Sequence, residues 1–517
     1  MILVLDFGGQ YCHLIARRIR ELGVYSEILP HNIELSLLKE RHPEGIILSG
    51  GPSSVYVKNS PKIPESLFEY IISKRIPILG ICYGFHLIIY QLGGKIHSKD
   101  DKEYGKTNLT IIDRDLLFDS LDANQIVWMS HGDQVIELPH GFKILANTLN
   151  CPIAAYKDDK NIIFGVQFHP EVTNTLNGMK ILENFIFKIA KCKKEWKLQD
   201  WIKKSIEIVR KNIGNEDRVI LGLSGGVDSS VTAILMHKAI GDRLHCIFVN
   251  NGLLRQNEET NVQKTFRDKL GFKNFHYVNA EDVFLEKLKT VEDPEEKRKI
   301  IGHTFIEVFE SKTLEIESEF PNIKYLAQGT IYPDRVETAA TSNAAAKIKS
   351  HHNVTLPEDM KLELIEPLKD LYKDEVRKIG IELGLPEEIV YRHPFPGPGL
   401  AVRCIGPVSK DRLDTLREAD RILIEEIKNA GLYRDLWQIF CVLIPVKTVG
   451  VMGDYRTYEY ICSIRAVESL DAMTANFAKL DWDLLEKIGT RIINEVKGFN
   501  RVVYDISNKP PSTIEYE

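Results

Sequence analysis

The chain alternates short apolar runs with amphipathic segments from its first residues onward. Residues 2–5 read as a buried strand, and residues 14–22 place apolar side chains at helical spacing. Further apolar runs lead into glycine turns, at residues 45–48, 76–81 and 162–168. Because strands that alternate with helices assemble into parallel sheets, the first 190 residues predict an open, doubly wound α/β sheet with its site at the carboxyl ends of the strands.

A second α/β pattern starts at residue 219, where a short apolar run precedes a helical one. It continues through a predicted strand at residues 246–250 and a predicted helix at residues 373–385 that ends at Gly384. Residues 191–200 are charged and have no apolar period, so they read as the linker between the two patterns. We therefore predict a second doubly wound parallel sheet after the first.

The last part of the chain has a different pattern. Residues 392–399 contain three prolines and two glycines, which suits a fixed turn or a ligand-facing loop. The rest mixes predicted strands and helices, at residues 410–430, 440–446, 458–465 and 482–496. This indicates a small α+β domain after two α/β domains. The predicted domain boundaries are residues 1–192, 193–392 and 393–517.

The chain has 517 residues, of which 44% are hydrophobic and 27% charged, with a net charge of −6. These values are typical of a folded globular protein of about three domains and give no sign of a surface for nucleic acid or membrane. Eight cysteines lack the paired short spacings of a disulfide framework or zinc site. With no basic leader and no apolar run near 18 residues, we expect a cytoplasmic protein without a membrane span.

The most informative segment is residues 221–230, which read LGLSGGVDSS. It joins a predicted strand to a predicted helix. A glycine turn in that position aims backbone N–H groups and the positive end of a helix dipole at one point, where phosphate binds well. No lysine follows the glycines, so this is not a Walker loop. The alternative is an ordinary glycine-rich turn.

The string SGGVDS within this segment resembles the pyrophosphate-binding loop of the ATP pyrophosphatases. Those enzymes cleave ATP between the α and β phosphates and adenylate a carbonyl oxygen. The resemblance implies that the pyrophosphate is held by Ser224, Gly225, Gly226, Val227, Asp228, Ser229 and Ser230.

A cysteine lies on a second sharp turn, in the segment GICYG around Cys82. A residue where a strand turns into a helix stands out above the sheet, and a helix N-terminus lowers the pKa of a thiol. Downstream, His169 and Glu171 alternate with apolar neighbours, so both can point to one side of the chain. A cysteine nucleophile needs a base, and the base needs a carboxylate that fixes its tautomer. Cys82, His169 and Glu171 can supply these roles.

These motifs resemble the class I glutamine amidotransferases over about residues 1 to 190. The resemblance implies that Cys82 attacks the carboxamide of glutamine and releases ammonia through a glutamyl thioester. It also implies an oxyanion hole made by the N–H groups of Gly51 and Tyr83.

One position departs from that family. Where its members usually carry Gly-Met-Gln after the cysteine and tyrosine, this chain has Gly84, Phe85 and His86. Three interpretations of His86 stay open: it hydrogen-bonds glutamine in place of the usual side chain, it perturbs the Cys82 thiol, or it only packs. His131, in the segment SHGD, likewise reads as part of a substrate loop or as part of a solvated turn.

Several segments in the second half resemble the glutamine-hydrolysing GMP synthetases, in order along the chain. They read AQGTIYPD, IKSHHN, EPLKD, RHPFPGPG, GVMGDYRT and KPPSTIE. The resemblance implies XMP as the acceptor, ATP as co-substrate, Mg²⁺ as cofactor and a homodimer formed through the C-terminal domain. Because charge develops on the leaving pyrophosphate, a metal and lysines are expected nearby.

The resemblance also assigns roles to individual residues of this half. Asp228 is the candidate metal ligand. A lid and transition-state group would contain Lys349, His351, His352 and Lys373, although each lysine also reads as a solvated surface residue. The residues implied in XMP binding are Arg298, Pro396, Gly397, Gln438, Arg456, Lys509, Thr513 and Glu515.

We therefore expect a carbon–nitrogen ligase that converts XMP, ATP and glutamine into GMP, AMP, pyrophosphate and glutamate. One alternative is an ATP pyrophosphatase that amidates or thiolates another substrate such as tRNA. The other is an inactive sensor or scaffold of the same fold. The negative net charge speaks against the tRNA substrate, and the intact Cys82, His169 and Glu171 speak against the inactive protein.

Overall fold

The computed structural model describes residues 1–335, 362–469 and 474–517. The chain forms two compact units, Met1–Asp200 and Trp201–Glu517. No helix among the described residues is both long enough and apolar enough to cross a membrane.

Nine described strands of the first unit form one sheet, in the order β2-β1-β3-β4-β9-β8-β7-β5-β6. The five strands from β2 to β9 are parallel, and the last four are antiparallel to their neighbours. The strands are β1 (Ile2–Asp6), β2 (Ser26–Pro30), β3 (Gly45–Leu48), β4 (Ile78–Ile81), β5 (Lys95–Ile111), β6 (Asn124–Glu137), β7 (Phe142–Asn147), β8 (Ala155–Asp158) and β9 (Ile163–Val166).

The described helices that accompany this sheet are α1 (Cys12–Glu21), α2 (Leu35–Arg41), α3 (Glu65–Ser73), α4 (Tyr83–Gln91) and α5 (Gly178–Asn184), the last continued by a π-helical turn at Phe185–Ile189. The buried strands β1, β3, β4 and β9 are almost wholly aliphatic, as expected for strands covered on both faces. The α/β class predicted for this part of the chain is confirmed. The antiparallel extension was not predicted, because β5 is mostly polar and lacks an apolar run.

The second unit contains a five-stranded parallel sheet in the order β12-β11-β10-β13-β14. Its strands are β10 (Arg218–Gly222), β11 (Leu244–Asn250), β12 (Phe275–Asn279), β13 (Ile323–Ala327) and β14 (Glu363–Ile365). Strand β11 pairs with one edge of β10, and β13 pairs with the opposite edge, so the strand order reverses at β10. Ligands bind at the carboxyl ends of strands where the order reverses in this way, and here that point is the end of β10.

The described helices that follow the first unit are α6 (Leu198–Asn212), α7 (Val227–Ile240), α8 (Glu258–Gln263), α9 (Glu281–Leu288), α10 (Pro294–Glu319), α11 (Lys373–Glu382), α12 (Glu387–Val390), α13 (Lys410–Asn429) and α14 (Trp482–Glu495). A π-helical turn at Lys264–Lys269 and 3₁₀ turns at Gly241–Arg243 and Gly399–Val402 complete them. The predicted linker at residues 191–200 therefore contains the start of α6.

The second unit also contains a four-stranded sheet. Its strands are β15 (Gln438–Met452), β16 (Tyr455–Glu468), β17 (Asn476–Phe477) and β18 (Phe499–Tyr504). The hairpin β15–β16 is antiparallel, and β18 pairs with β16 in parallel. One apolar core joins residues of β10 and β11 with residues of α13 and β15. The predicted boundary between residues 392 and 393 falls inside this unit and stays a prediction.

Candidate active site

Cys82 lies at the junction between β4 and α4, where its backbone has φ +51° and ψ −99°. This positive φ is strained for a residue with a side chain, and such strain is typical of nucleophile turns. The Cys82 N–H donates to the Val166 carbonyl of β9 at 3.0 Å, which fixes the turn to the neighbouring strand. The thiol therefore stands at the start of a helix, at the carboxyl end of a buried strand.

The chain leaving β9 brings His169 and Glu171 to the same place. His169 Nδ1 lies 2.7 Å from Glu171 Oε1, and both side chains are buried. Burial lowers the pKa of His169, but the charges of Glu171 and of the hydrogen-bonded Cys82 outweigh it and raise the pKa well above its usual value. The arrangement places a histidine held by a carboxylate next to the cysteine, as expected for a cysteine nucleophile and its base.

Two consecutive glycines, Gly50 and Gly51, lie close to the residues of this site. A Cβ added to Gly50 would lie 3.1 Å from His169 Cε1 and 3.8 Å from Cys82 Cβ, so the backbone here approaches Cys82 closely. The adjacent Gly51 is as close to Tyr83, since its Cβ would lie 3.1 Å from Tyr83 Cγ. Tyr83 is the first residue of α4, where a backbone N–H has no partner within the helix. The structure thus brings Gly51 and Tyr83 together beside the nucleophile.

His86 is buried one turn into α4, and its Nε2 lies 2.6 Å from Gln167 Oε1. Burial, reinforced by His131, lowers the pKa of His86 to about 4, so the ring is neutral at pH 7. This contact is a hydrogen bond within the protein, and the three interpretations of His86 stay open. A direct bond from the same nitrogen to glutamine would require Gln167 to give up its contact.

The segment around His131 lies against the nucleophile. The Ser130 carbonyl is 3.7 Å from Cys82 Sγ. His131 is buried, with Nδ1 2.9 Å from the Asp133 carbonyl and Nε2 3.3 Å from Glu103 Oε2. This histidine is therefore not part of a solvated turn, since it lies in strand β6 next to Ser130 and its side chain is buried.

In the second unit, the glycine loop connects β10 to α7 at the predicted strand–turn–helix. Gly225 has φ +73°, a conformation that favours glycine. The hydroxyls of Ser224 and Ser229 lie 3.0 Å apart, and the Ser224 N–H donates to Ser229 Oγ at 3.3 Å. The loop closes on itself at the N-terminus of α7, with its amide groups at the positive end of the helix dipole.

Several polar atoms at this loop have no protein partner. Asp228 Oδ1, Ser230 Oγ and Thr330 Oγ1 are buried and receive or donate no hydrogen bond among the described residues. Unpaired buried polar atoms are costly, so a group that they bind is the simplest reason for them. A carboxylate oxygen and hydroxyls fit a Mg²⁺–pyrophosphate group. The other Asp228 oxygen lies 2.5 Å from Lys373 Nζ.

The C-terminal residues converge on the start of β15. Gln438 Nε2 donates to Glu515 Oε1 at 2.6 Å and to the Pro394 carbonyl at 3.2 Å. The Pro394 loop continues to Pro396 and Gly397, and Thr513 Oγ1 donates to the Glu515 carbonyl. The structure therefore brings together three of the residues implied in XMP binding, Gln438, Thr513 and Glu515, beside Pro394 of the loop that continues to Pro396 and Gly397.

Three family models match the chain. They are glutamine amidotransferase class-I over residues 3–189, NAD synthase over residues 196–299 and GMP synthase C terminal domain over residues 425–516. Full-length relatives decide the family. The GMP synthase [glutamine-hydrolyzing] of Brachyspira hyodysenteriae is 55% identical over 517 residues, which is 100% of this chain and 99% of that protein. The chain belongs to the glutamine-hydrolysing GMP synthase family. Its counterparts from Aquifex aeolicus and Lactobacillus johnsonii are 54% and 53% identical over 100% of this chain and 99% and 98% of theirs.

Other residues implied by the GMP synthase resemblance make different contacts or lie outside the described residues. Arg298 pairs with Glu295 on the same helix, while its neighbour Lys297 is buried against Glu517. Lys509 forms a backbone bridge with Ala475. Lys349, His351 and His352 lie outside the described residues.

Arg456 lies at the far end of the hairpin from Gln438. Arg456 pairs with Val451, whereas Gln438 pairs with Val467. About 13 strand residues at about 3.3 Å each separate the two ends, or about 40 Å. Arg456 and Gln438 of one chain therefore cannot contact the same nucleotide.

Sequence reasoning missed residues that contact the site residues and fix their positions. Tyr11 packs edge-on against the His169 ring with centroids 5.1 Å apart, and Arg18 Nε donates to the Glu171 carbonyl at 3.1 Å. In the second unit, Arg403 binds Glu515. The available signal for Arg403 was a cation directly after the apolar run GLAV, where only a paired charge is stable.

Proposed function

We propose that this chain synthesises GMP from XMP, ATP and glutamine, with AMP, pyrophosphate and glutamate as the other products. The observation that carries the proposal is that a glutaminase site and a pyrophosphate loop occur in one chain that matches GMP synthases from end to end. The glutaminase supplies ammonia, and the synthetase converts a carbonyl oxygen into a leaving group that ammonia displaces.

In the proposed glutaminase step, the Cys82 thiolate attacks the carboxamide carbon of glutamine. The N–H groups of Gly51 and Tyr83 stabilise the negative charge that develops on the carbonyl oxygen. His169, held by Glu171, gives its proton to the departing ammonia and then takes one from the water that hydrolyses the thioester. Glutamate leaves, and Cys82 is regenerated.

In the proposed synthetase step, O2 of the xanthine attacks the α-phosphate of ATP and pyrophosphate departs. The loop of Ser224, Gly225, Gly226, Val227, Ser229 and Ser230 binds that pyrophosphate through its amide groups and hydroxyls. Lys373 balances part of the developing charge. Mg²⁺, held by Asp228, would supply further charge neutralisation when bound. Ammonia then adds at C2 of the adenylated purine, and AMP leaves.

We infer three further properties. The domain limits are residues 1–192, 193–392 and 393–517, and the location is the cytoplasm. The chain forms a homodimer through the β15–β16 hairpin, whose exposed apolar side chains include Val449, Val451 and Tyr455. In such a dimer, Arg456 could serve an XMP site of the second copy, which would remove the conflict with its distance from Gln438. Lys349, His351 and His352 remain the proposed lid residues, and Arg298 and Lys509 remain proposed phosphate ligands.

The test measures GMP and pyrophosphate with XMP, ATP and Mg²⁺, using either glutamine or an ammonium salt as nitrogen donor. We expect each donor to support the reaction, with one pyrophosphate released for each GMP formed. Replacing XMP by a tRNA pool should abolish pyrophosphate release. Pyrophosphate release that ignores XMP, or that responds to tRNA instead, would overturn the proposal.

A further inference from the structure

A fully buried arginine holds the C-terminal segment. Arg403 is 0% exposed and donates from Nε to Glu515 Oε2 at 3.0 Å and from Nη2 to Glu515 Oε1 at 2.8 Å. A bidentate pair of this kind fixes both the position and the plane of the carboxylate. Glu515 therefore has little freedom to rotate.

Arg403 is itself fixed by its surroundings. Its guanidinium lies over the Phe440 ring at 3.9 Å and over the Phe395 ring at 5.0 Å. A buried cation without its carboxylate would be strongly destabilising, so the Arg403–Glu515 pair has to form as a unit. Lysine could not replace the arginine here, because an ammonium lacks the planar fork that matches a carboxylate.

The Arg403–Glu515 pair determines the orientation of the Gln438 side-chain amide. The Glu515 carboxylate and the Pro394 carbonyl can only accept hydrogen bonds. The amide atom of Gln438 that faces them must therefore be the nitrogen, Nε2. Both amide hydrogens are then used. Gln438 Oε1 accepts no hydrogen bond from any residue in the described ranges, and it stays available to a ligand.

We propose that Arg403 is a positioning residue for XMP recognition, which acts through Glu515 to present Gln438 Oε1 as a hydrogen-bond acceptor to a ring N–H of the xanthine. This inference rests on the proposed function. Xanthine carries an N–H on each side of C2, next to the oxygen that attacks ATP. An acceptor at either N–H orients the ring and increases electron density on O2, which favours that attack.

The test removes the acceptor and, separately, the group that orients it. In the Gln438→Met variant the acceptor oxygen is lost from a side chain of similar length, and we expect the KM for XMP to rise about 100-fold. Glu515→Asp keeps a carboxylate beside Arg403 but withdraws it from Gln438, and we expect a rise of about 10-fold. In the double variant Gln438→Met/Glu515→Asp, the second change should add less than about threefold, because the side chain that it orients has already lost its acceptor. The assay is XMP-dependent pyrophosphate release with ammonium as nitrogen donor.

Two further variants separate positioning from general damage. Arg403→Lys should raise the KM for XMP about 10- to 100-fold while leaving the KM for ATP within about twofold. Glu517→Asp is the matched control, because Glu517 lies on the same segment and also pairs with a buried cation, Lys297, but does not contact Gln438. It should change the KM for XMP less than about threefold.

Gln438→Met and Glu515→Asp effects that multiply in the double variant would overturn the inference, as would a Glu517→Asp effect equal to that of Glu515→Asp. Should Arg403→Lys fail to fold, these variants still decide the matter, since all of them keep Arg403 and a carboxylate beside it. A wild-type chain without XMP-dependent pyrophosphate release would instead overturn the proposed function. The two failures are therefore distinguishable.

Discussion

Lys373 Nζ lies 2.5 Å from Asp228 Oδ2, joining the first turn of α11 to the first turn of α7 across the glycine loop. Both residues were predicted from the sequence to act on the phosphates, but as separate candidates. Their pairing shows that the two candidates form a single ion pair beside the loop. Because the pair is partly exposed, it contributes little to folding stability.

We predict that Lys373→Met slows XMP-dependent pyrophosphate release about 100-fold, since a cation that faces the leaving phosphate would be lost. Glutamine hydrolysis at Cys82 should change little. Lys378→Met, which removes an exposed lysine from the same helix, is the control and should retain nearly full activity. Equal activities of the two variants would remove Lys373 from the mechanism.

We predict that Cys82→Ala lowers glutamine-dependent GMP synthesis at least about 1,000-fold and leaves ammonium-dependent synthesis intact, because only the glutaminase uses the thiol. Asp228→Ala should lower both. Assays with each nitrogen donor in parallel measure this. Loss of ammonium-dependent synthesis in Cys82→Ala would contradict the assignment of Cys82 to glutamine hydrolysis alone.

The same thiol should be the first to react with iodoacetamide. Cys82 lies beside a histidine with a raised pKa, whereas burial raises the pKa of Cys404 to about 11 and that of Cys192 to about 12. Brief alkylation followed by peptide mass spectrometry should find the label on Cys82, with glutamine-dependent activity lost in proportion. Prior labelling of another cysteine would contradict this order of reactivity.

Local signals explain what the sequence could predict. The loop after β10 and the turn at Cys82 are marked by apolar runs that stop at glycines, and both appear where predicted. Strand β5 escaped prediction because its side chains are mostly polar. The partner of Glu515 also escaped, because Arg403 lies 112 residues away and only tertiary packing brings them together.

The last prediction concerns His86, which departs from the usual residue of its family. The folded state holds the ring neutral with a pKa of about 4, whereas the unfolded chain has the ordinary value near 6.5. A depressed pKa stabilises the unfolded state as pH falls, because only the unfolded chain then binds the proton. The free energy of unfolding should therefore lose about 2 kcal/mol from this group between pH 7.5 and pH 5.

His86→Gln removes that proton linkage and keeps a polar partner for Gln167. We expect its stability relative to wild type to improve by about 2 kcal/mol on going from pH 7.5 to pH 5. Urea unfolding at the two pH values, followed by fluorescence, measures the difference, and His97→Gln at an exposed site serves as control. If the stability difference between His86→Gln and wild type does not depend on pH, burial does not lower the pKa of His86.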